Sequence, residues 1–378
     1  GRWGACVLNL VRSLDQSGEA RMASEGAAAR NYTGGSAAIA YDAGSVPPEL
    51  QRHGTQATEI RLGGRAPFSG VGAAKRLTKL IADSGVDILH VHGLELLPIA
   101  RAAATETDVK LVLGINVDSG RIARLPKRLR AAIETVDEII VVSALTEHEL
   151  GRAMPAVAER ITLAPFGVDL SRFDPAQVTA HRVIQMAQQW RVPDDRPVVM
   201  LPGRFAKERG HRALVEALSL IRDVDLRCIM VGPDAEGPSF RHQLGKEIAT
   251  LGLADRVLLA EECRDMPAAL MLADVGVAPY TAPAVHNRAI IEAMALGRPV
   301  VATDFPVSRE LLENNDMAWL APADDAMAVS WAIREALALP IEQRELLSQR
   351  VIEMLSDQRS RTRMCGAALD IYQRLRPE

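Results

Sequence analysis

Apolar residues along this chain gather in short unbroken runs rather than in strict alternation. In the first half the runs are Asp87–His92, Val109–Leu113 and Glu138–Val142. In the second half they are Val198–Leu201, Leu226–Val231, Val257–Ala260, Val275–Ala278, Val300–Thr303 and Trp319–Ala321. Strands covered by helices on both faces read this way, because neither side of the pleat meets water. Stretches of helical length separate the runs, among them Ala73–Ser84, Arg124–Thr135 and the segment from His211. Ser143 follows one run in the position of a helix N-cap. Strand and helix alternate in both halves, which predicts an α/β protein with two doubly wound domains.

The pattern also sets boundaries. Turn chemistry at Gly167–Pro175 closes the first half, and Val192–Pro197 reads as surface linker. The expected division is 1–175 for the first domain, 176–196 for the linker, 197–357 for the second domain and 358–378 for a C-terminal helical segment. Ile341–Leu375 reads as two helices with no further strand. At the front, Ala5–Leu14 reads as helix with no strand before it. A doubly wound domain opens with a strand, so the first strand of the N-terminal domain is expected to be missing. Ala27–Val46, rich in Ala and Gly, reads as an irregular insertion.

Composition narrows the function classes. A chain of 378 residues with 48% hydrophobic residues builds substantial cores, and its net charge of −4 gives no basic footprint for nucleic acid. Cys6, Cys228, Cys263 and Cys365 lie far apart with no CxxC pair, against a zinc site or disulfide framework. No run approaches the ~20 apolar residues that span a bilayer. A cytoplasmic protein is expected, with the inner membrane face as a further possibility.

Candidate chemistry sits at strand ends. Pro202–Gly210 joins a strand to a helix, where free N–H groups and the helix dipole suit an anion. There Gly203 allows close approach, and Arg204 and Arg209 offer guanidinium forks for a diphosphate; a solvated basic turn is the plainer reading. Gly232 ends another strand in a turn that could admit a nucleotide. Glu292 could hold a ribose or simply complement a helix N-terminus. His286 lies in the loop before it. In the first half, His90 and His92 are read as facing opposite sides of their strand, one at the edge near Gly93 and one under a helix. Asn116 follows the next strand. The basic stretch Arg121–Arg130 reads as a solvated helix face, with an anionic membrane or acidic acceptor as the alternative.

Several segments together resemble one family. Ile161–Pro175, Leu201–Arg204, Met266–Ala269 with Ala273–Asp274, and Ile291–Thr303 are similar to the GT-B-fold, family 4-like glycosyltransferases (glycosyltransferase group 1), especially bacterial polysaccharide and lipopolysaccharide enzymes. The resemblance implies two Rossmann-like domains facing across a cleft, with the final helix crossing back to the first. It implies a hexosyltransferase of the retaining, metal-independent type, moving sugar from a nucleotide-diphosphate donor to a glycan or lipid-linked acceptor. No cofactor is implied; the nucleotide sugar is a co-substrate. Arg204, Arg209 and Asn116 would be catalytic. Gly203, Gly232, Val285, His286, Asn287 and Glu292 would bind donor, and Gly4 and His92 would lie on the acceptor side. Ala284 stands where the family has a first Glu, His286-Asn287 where it has Phe-Gly, and Asn116 where it has His. These departures keep open a degenerate relative with a binding role.

Overall fold

A computed structural model describes residues 5–14, 18–44, 46, 50, 55–62, 69–117, 119–235, 237–261, 263–283, 287–313 and 315–376. The chain forms two compact units, Gly1–Phe166 with Arg361–Glu378, and Gly167–Ser360.

The first unit is built on seven strands: β1 (Cys6–Ser13), β2 (Ser36–Ala43), β3 (Gln56–Glu59), β4 (Ile88–His92), β5 (Lys110–Ile115), β6 (Glu138–Val141) and β7 (Ile161–Leu163). They pair in parallel in the order β3-β2-β1-β4-β5-β6-β7. Helices α1 (Gly18–Tyr32), α2 (Ser69–Ser84), α3 (Leu97–Thr107), α4 (Lys127–Ile133) and α5 (Ala144–Ala153) join them, and the C-terminal helix Arg361–Arg374 packs on α1. The sheet is buried on both sides. Leu8, Leu10, Leu89, Val91 and Leu113 face one core, and Val7, Val11, Ile88, Val112 and Ile140 face the other, which includes Ile371 and Tyr372.

Three expectations are corrected here. Ala5–Leu14 is not helix: Cys6–Ser13 is the strand between β2 and β4. The described residues of this unit thus begin with strand then helix, the order expected of a doubly wound domain. Val7, Leu8, Leu10 and Val11 fit a helical stripe, but the same spacing also fills two faces of a central strand. Ala27–Val46 is not an irregular insertion, since it holds the end of α1 and all of β2. His90 and His92 do not face opposite sides. Residues two apart on a strand share a face, and their ring centroids are 4.0 Å apart.

The second unit has six parallel strands: β8 (Val198–Pro202), β9 (Arg227–Val231), β10 (Val257–Ala260), β11 (Val275–Ala278), β12 (Val300–Thr303) and β13 (Ala318–Ala321). Their order is β10-β9-β8-β11-β12-β13. The helices that matter for the site are α6 (Ala180–Trp190), α7 (His211–Leu220), α8 (Pro238–Thr250), α9 (Met266–Leu272) and α10 (Arg288–Ala295). The stretch 176–196, read as linker, contains α6, which is tied to α9 by a forked ion pair. Arg182 donates to Asp265 at 2.8 and 2.6 Å, and that hydrogen bonding holds the Asp265 carboxyl below its ordinary range. Helix α10 buries Ile290, Ile291, Ala293 and Met294. A Cβ on Gly276 of β11 would lie 3.0 Å from the Ala293 methyl, so the missing side chain lets helix and strand approach.

Both sheets share one topological consequence. Strand β1 lies beside β4, and β8 beside β11, while the chain leaves each pair in opposite directions across the sheet. The loops at the carboxyl ends of such a pair diverge and leave room for a ligand.

The buried histidines make the first unit acid-sensitive. His90 Nδ1 and Tyr372 Oη share a hydrogen bond of 2.6 Å, and His92 Nε2 and Asn9 Oδ1 share one of 3.0 Å. Burial pushes His92 down to about 3 and holds His90 well below the ordinary imidazole value, with His92 adding to the shift. Between those values and the ordinary 6.5, the unfolded chain binds protons that the folded unit refuses. Glu19 opposes this, because burial and the Glu95 carboxylate push it up to about 7, so the fold favours its proton. Two histidines outweigh one carboxylate: near pH 5.5 unfolding takes up roughly one net proton, about 1.4 kcal/mol per pH unit. Stability should therefore fall as pH drops from about 6.5 toward 5, measured as the urea midpoint of the first unit's transition. Tyr372→Phe, which removes the partner of His90, should lower that midpoint at every pH by roughly 1–3 kcal/mol of stability.

Candidate functional site

In the second unit the loops after β8 and β11 lie side by side. Beyond β8 the chain passes Gly203, Arg204 and Phe205, makes a tight turn at Lys207–Arg209, and enters α7 at His211. Gly203 N donates to Val231 O at 2.9 Å and Phe205 N to Pro233 O at 2.8 Å, tying this loop to the turn after β9. Gly232 occupies that turn, and a Cβ there would collide with the Gly203 carbonyl. Phe205 is wholly buried; the His211 ring stacks on it at 4.7 Å and the Arg241 guanidinium lies 4.1 Å from its centroid. Arg241 also donates to Asp234 Oδ1 at 2.9 Å and to Gly232 O at 2.8 Å. Burial pushes His211 down to about 4, with Arg209 and Arg241 adding to the shift, so no further charge is placed beside them at neutral pH.

The two arginines are held differently. Arg204 is exposed and paired with Glu208 at 3.1 Å. Arg209 places its guanidinium 4.7 Å from the centroid of Tyr280, the first residue beyond Pro279 after β11. Thr281 N donates to Glu208 O at 3.1 Å and Thr281 Oγ1 to Lys207 O at 3.3 Å, so Thr281 bonds one loop to the other. Gly210 makes that contact possible: its φ is +73°, and any Cβ would overlap the Pro279 carbonyl.

Helix α10 begins at this edge. Asn287 is buried and caps it, accepting from Ile290 N at 3.4 Å and from Tyr280 Oη at 3.3 Å. Glu292, 4% exposed, pairs with Arg288 at 3.2 Å. The structure thus brings Gly203, Arg204, Arg209, Gly232, Asn287 and Glu292 to one edge of one sheet. Val285 and His286, with Ala284, lie outside the described residues.

The first unit presents its own edge. Asn116 follows β5, with a buried side-chain oxygen that finds no hydrogen-bond partner among the described residues. His92 is 1% exposed and engaged with Asn9, so its ring is not offered to solvent. Gly4 lies outside the described residues. Sequence reasoning missed the carboxylates here. A Cβ on Gly93, just past β4, would meet Glu95 at 2.9 Å and Glu19 at 3.1 Å, and Arg121 is close enough to oppose the rise of the Glu19 pKa. Glu19 stands in the first turn after β1, a place that the helical reading of Ala5–Leu14 concealed. Tyr280 and Arg241 were missed as well. The signal for Tyr280 was its position directly after the proline that stops β11.

Two doubly wound parallel sheets, each with its loops at a switch point, match the architecture of the GT-B glycosyltransferases. Solved structures agree: a glycosyltransferase from Rickettsia africae superimposes with a TM-score of 0.88 at 22% identity, covering 98% of both chains. Anabaena HepE, solved in complex with UDP and glucose, gives 0.83 at 17% identity over 98% of this chain and 99% of that one. Two family models cover most of the sequence, "Glycosyltransferase Family 4" over residues 34–172 and "Glycosyl transferases group 1" over 196–338. The chain belongs to this family of glycosyltransferases. Among curated relatives, the phosphatidyl-myo-inositol mannosyltransferase of Mycolicibacterium smegmatis is 27% identical over 76% of this chain and 72% of its own length. The lipopolysaccharide core biosynthesis glycosyltransferase LpsE of Rhizobium meliloti is 27% identical over 57% of this chain and 62% of its own.

Gly210→Ala tests the docking of the two loops. It forces a side chain into a left-handed backbone and against Pro279, and should destabilise the second unit by roughly 1–3 kcal/mol, read from its urea transition.

Proposed function

We propose that the protein transfers a sugar from a nucleotide-diphosphate donor to a glycan or lipid-linked acceptor, with retention of anomeric configuration. The observation that carries this reading is the joined edge at β8 and β11, where Arg204 and Arg209 share one loop and Tyr280 links Arg209 to the head of the helix that bears Glu292. In this reading Arg204 and Arg209 meet the charge that develops on the leaving diphosphate, the main electrostatic demand of the transfer, and the reaction needs no metal to do so. The turns at Gly203 and Gly232, which carry no side chains, let the phosphates come close to the backbone. Glu292 accepts from the ribose hydroxyls. Family membership and a nucleotide-bound neighbour of the same fold support the enzyme over a binding-only relative.

The first unit supplies the acceptor side. Glu19 and Glu95 can accept hydrogen bonds from acceptor hydroxyls beside Gly93. Arg121, Arg124, Lys127 and Arg128 are exposed and suit an anionic acceptor, whereas Arg130 is occupied with the carbonyls of Leu125, Ala123 and Ala153. The mannosyltransferase relative, whose name specifies a phosphatidyl-inositol acceptor, supports a lipid-linked substrate.

The first test is isothermal titration of the whole chain with UDP, GDP and ADP and their sugars. At least one should bind; no heat from any of them ends the proposal. With the binding donor, Arg209→Ala should lower kcat/KM by about 100-fold or more, as loss of a single transition-state donor does elsewhere, measured by release of the nucleoside diphosphate.

A further inference from the structure

We propose that Tyr280 is a positioning residue for the transfer: its ring is the platform that aims the Arg209 guanidinium, and its hydroxyl ties that platform to the head of α10. The inference rests on the donor reading above and extends it to a residue that touches no substrate.

The argument starts from how a cation can be held. Arg204 is oriented by Glu208, and the carboxylate that orients it also offsets its charge. Among the described residues Arg209 forms no ion pair, and its buried Nε has no hydrogen-bond partner. What it has is the face of Tyr280 at 4.7 Å. An aromatic face attracts a guanidinium through its quadrupole and leaves the full positive charge available to an anion. Of the two arginines, Arg209 is therefore the one whose charge remains uncompensated.

Tyr280 is fitted for this task. It is 4% exposed, and its carbonyl accepts from Thr303 Oγ1 at 2.8 Å. The next residue, Thr281, is bonded to the carbonyls of Lys207 and Glu208 on the arginine's own loop. Pro279, the residue before, rests against Gly210. The ring is thus clamped on both sides along the backbone. Its hydroxyl donates to Asn287 Oδ1 at 3.3 Å, the oxygen that also caps α10. One side chain couples the diphosphate arginine to the helix that carries Glu292.

The test is a double-mutant cycle read by calorimetry on the full chain, using whichever of UDP, GDP and ADP binds the wild type most tightly. Tyr280→Phe keeps the ring and should bind within about twofold of wild type. Tyr280→Leu keeps an apolar side chain without a π face and should weaken binding about tenfold, as loss of a partly desolvated cation–π contact does; Tyr280→Met serves equally if the leucine variant fails to fold. Arg209→Ala should weaken binding at least as much, and adding Tyr280→Leu to it should weaken binding no further. Losses that multiply in the double variant, or wild-type affinity in Tyr280→Leu, overturn the proposal. A wild type that binds none of the three nucleotides refutes the donor reading, and this inference falls with it.

Discussion

Everything at the candidate donor site depends on β8 lying beside β11. Their pairing is short, Val199 with Val275 and Met200 with Gly276, and Asp274 reinforces it by accepting from Val198 N at 2.8 Å. Because the chain leaves the two strands toward opposite edges of the sheet, their loops have no helix between them and meet each other directly. That contact is stringent. It needs a residue without a side chain at Gly210, the two hydrogen bonds of Thr281 to the carbonyls of Lys207 and Glu208, and a flat ring at Tyr280. The contact is thereby fixed by the chain's own backbone and side chains.

Around that contact, charge is managed by burial as much as by pairing. His211 lies under the arginine loop yet is held uncharged at neutral pH, so it stacks on Phe205 without repelling Arg209 or Arg241. Arg241 is spent on structure, bridging Asp234, the Gly232 carbonyl and the Phe205 ring. Asn287, which departs from the family's glycine, is not a vacant substitution: it caps α10 and receives the Tyr280 hydroxyl. The first unit uses the same device differently. His90 and His92 are kept neutral beneath the sheet, tying β4 to the C-terminal helix and to β1.

Much of the fold was legible because a parallel sheet leaves a plain mark. All six strands of the second unit fall where unbroken apolar runs predict them, and helix starts at Ser143 and His211 agree with the structure. The first strand was not legible, since Val7, Leu8, Leu10 and Val11 satisfy helical and two-faced strand spacing alike. Burial between β2 and β4 decides between them. Of the candidate site, the positions of Gly203, Arg204, Arg209, Gly232, Asn287 and Glu292 could be inferred from strand ends and family resemblance. Their partners could not: Glu208, Arg241 and Tyr280 matter because of who lies beside them in space, and those neighbours are up to 71 residues away in the case of Arg209 and Tyr280.

Sequence alone determined the class of this protein. Apolar runs bounded by turn residues specify a buried parallel strand wherever they occur, and a few segments near strand ends mark the glycosyltransferase family. Those are local properties, written in neighbouring residues. Tertiary structure alone decided which arginine rests on an aromatic ring, which histidines stay neutral and which carboxylates gather at Gly93. Each of these depends on burial and on distances of a few ångströms between residues far apart in the chain, and local spacing carries no record of either.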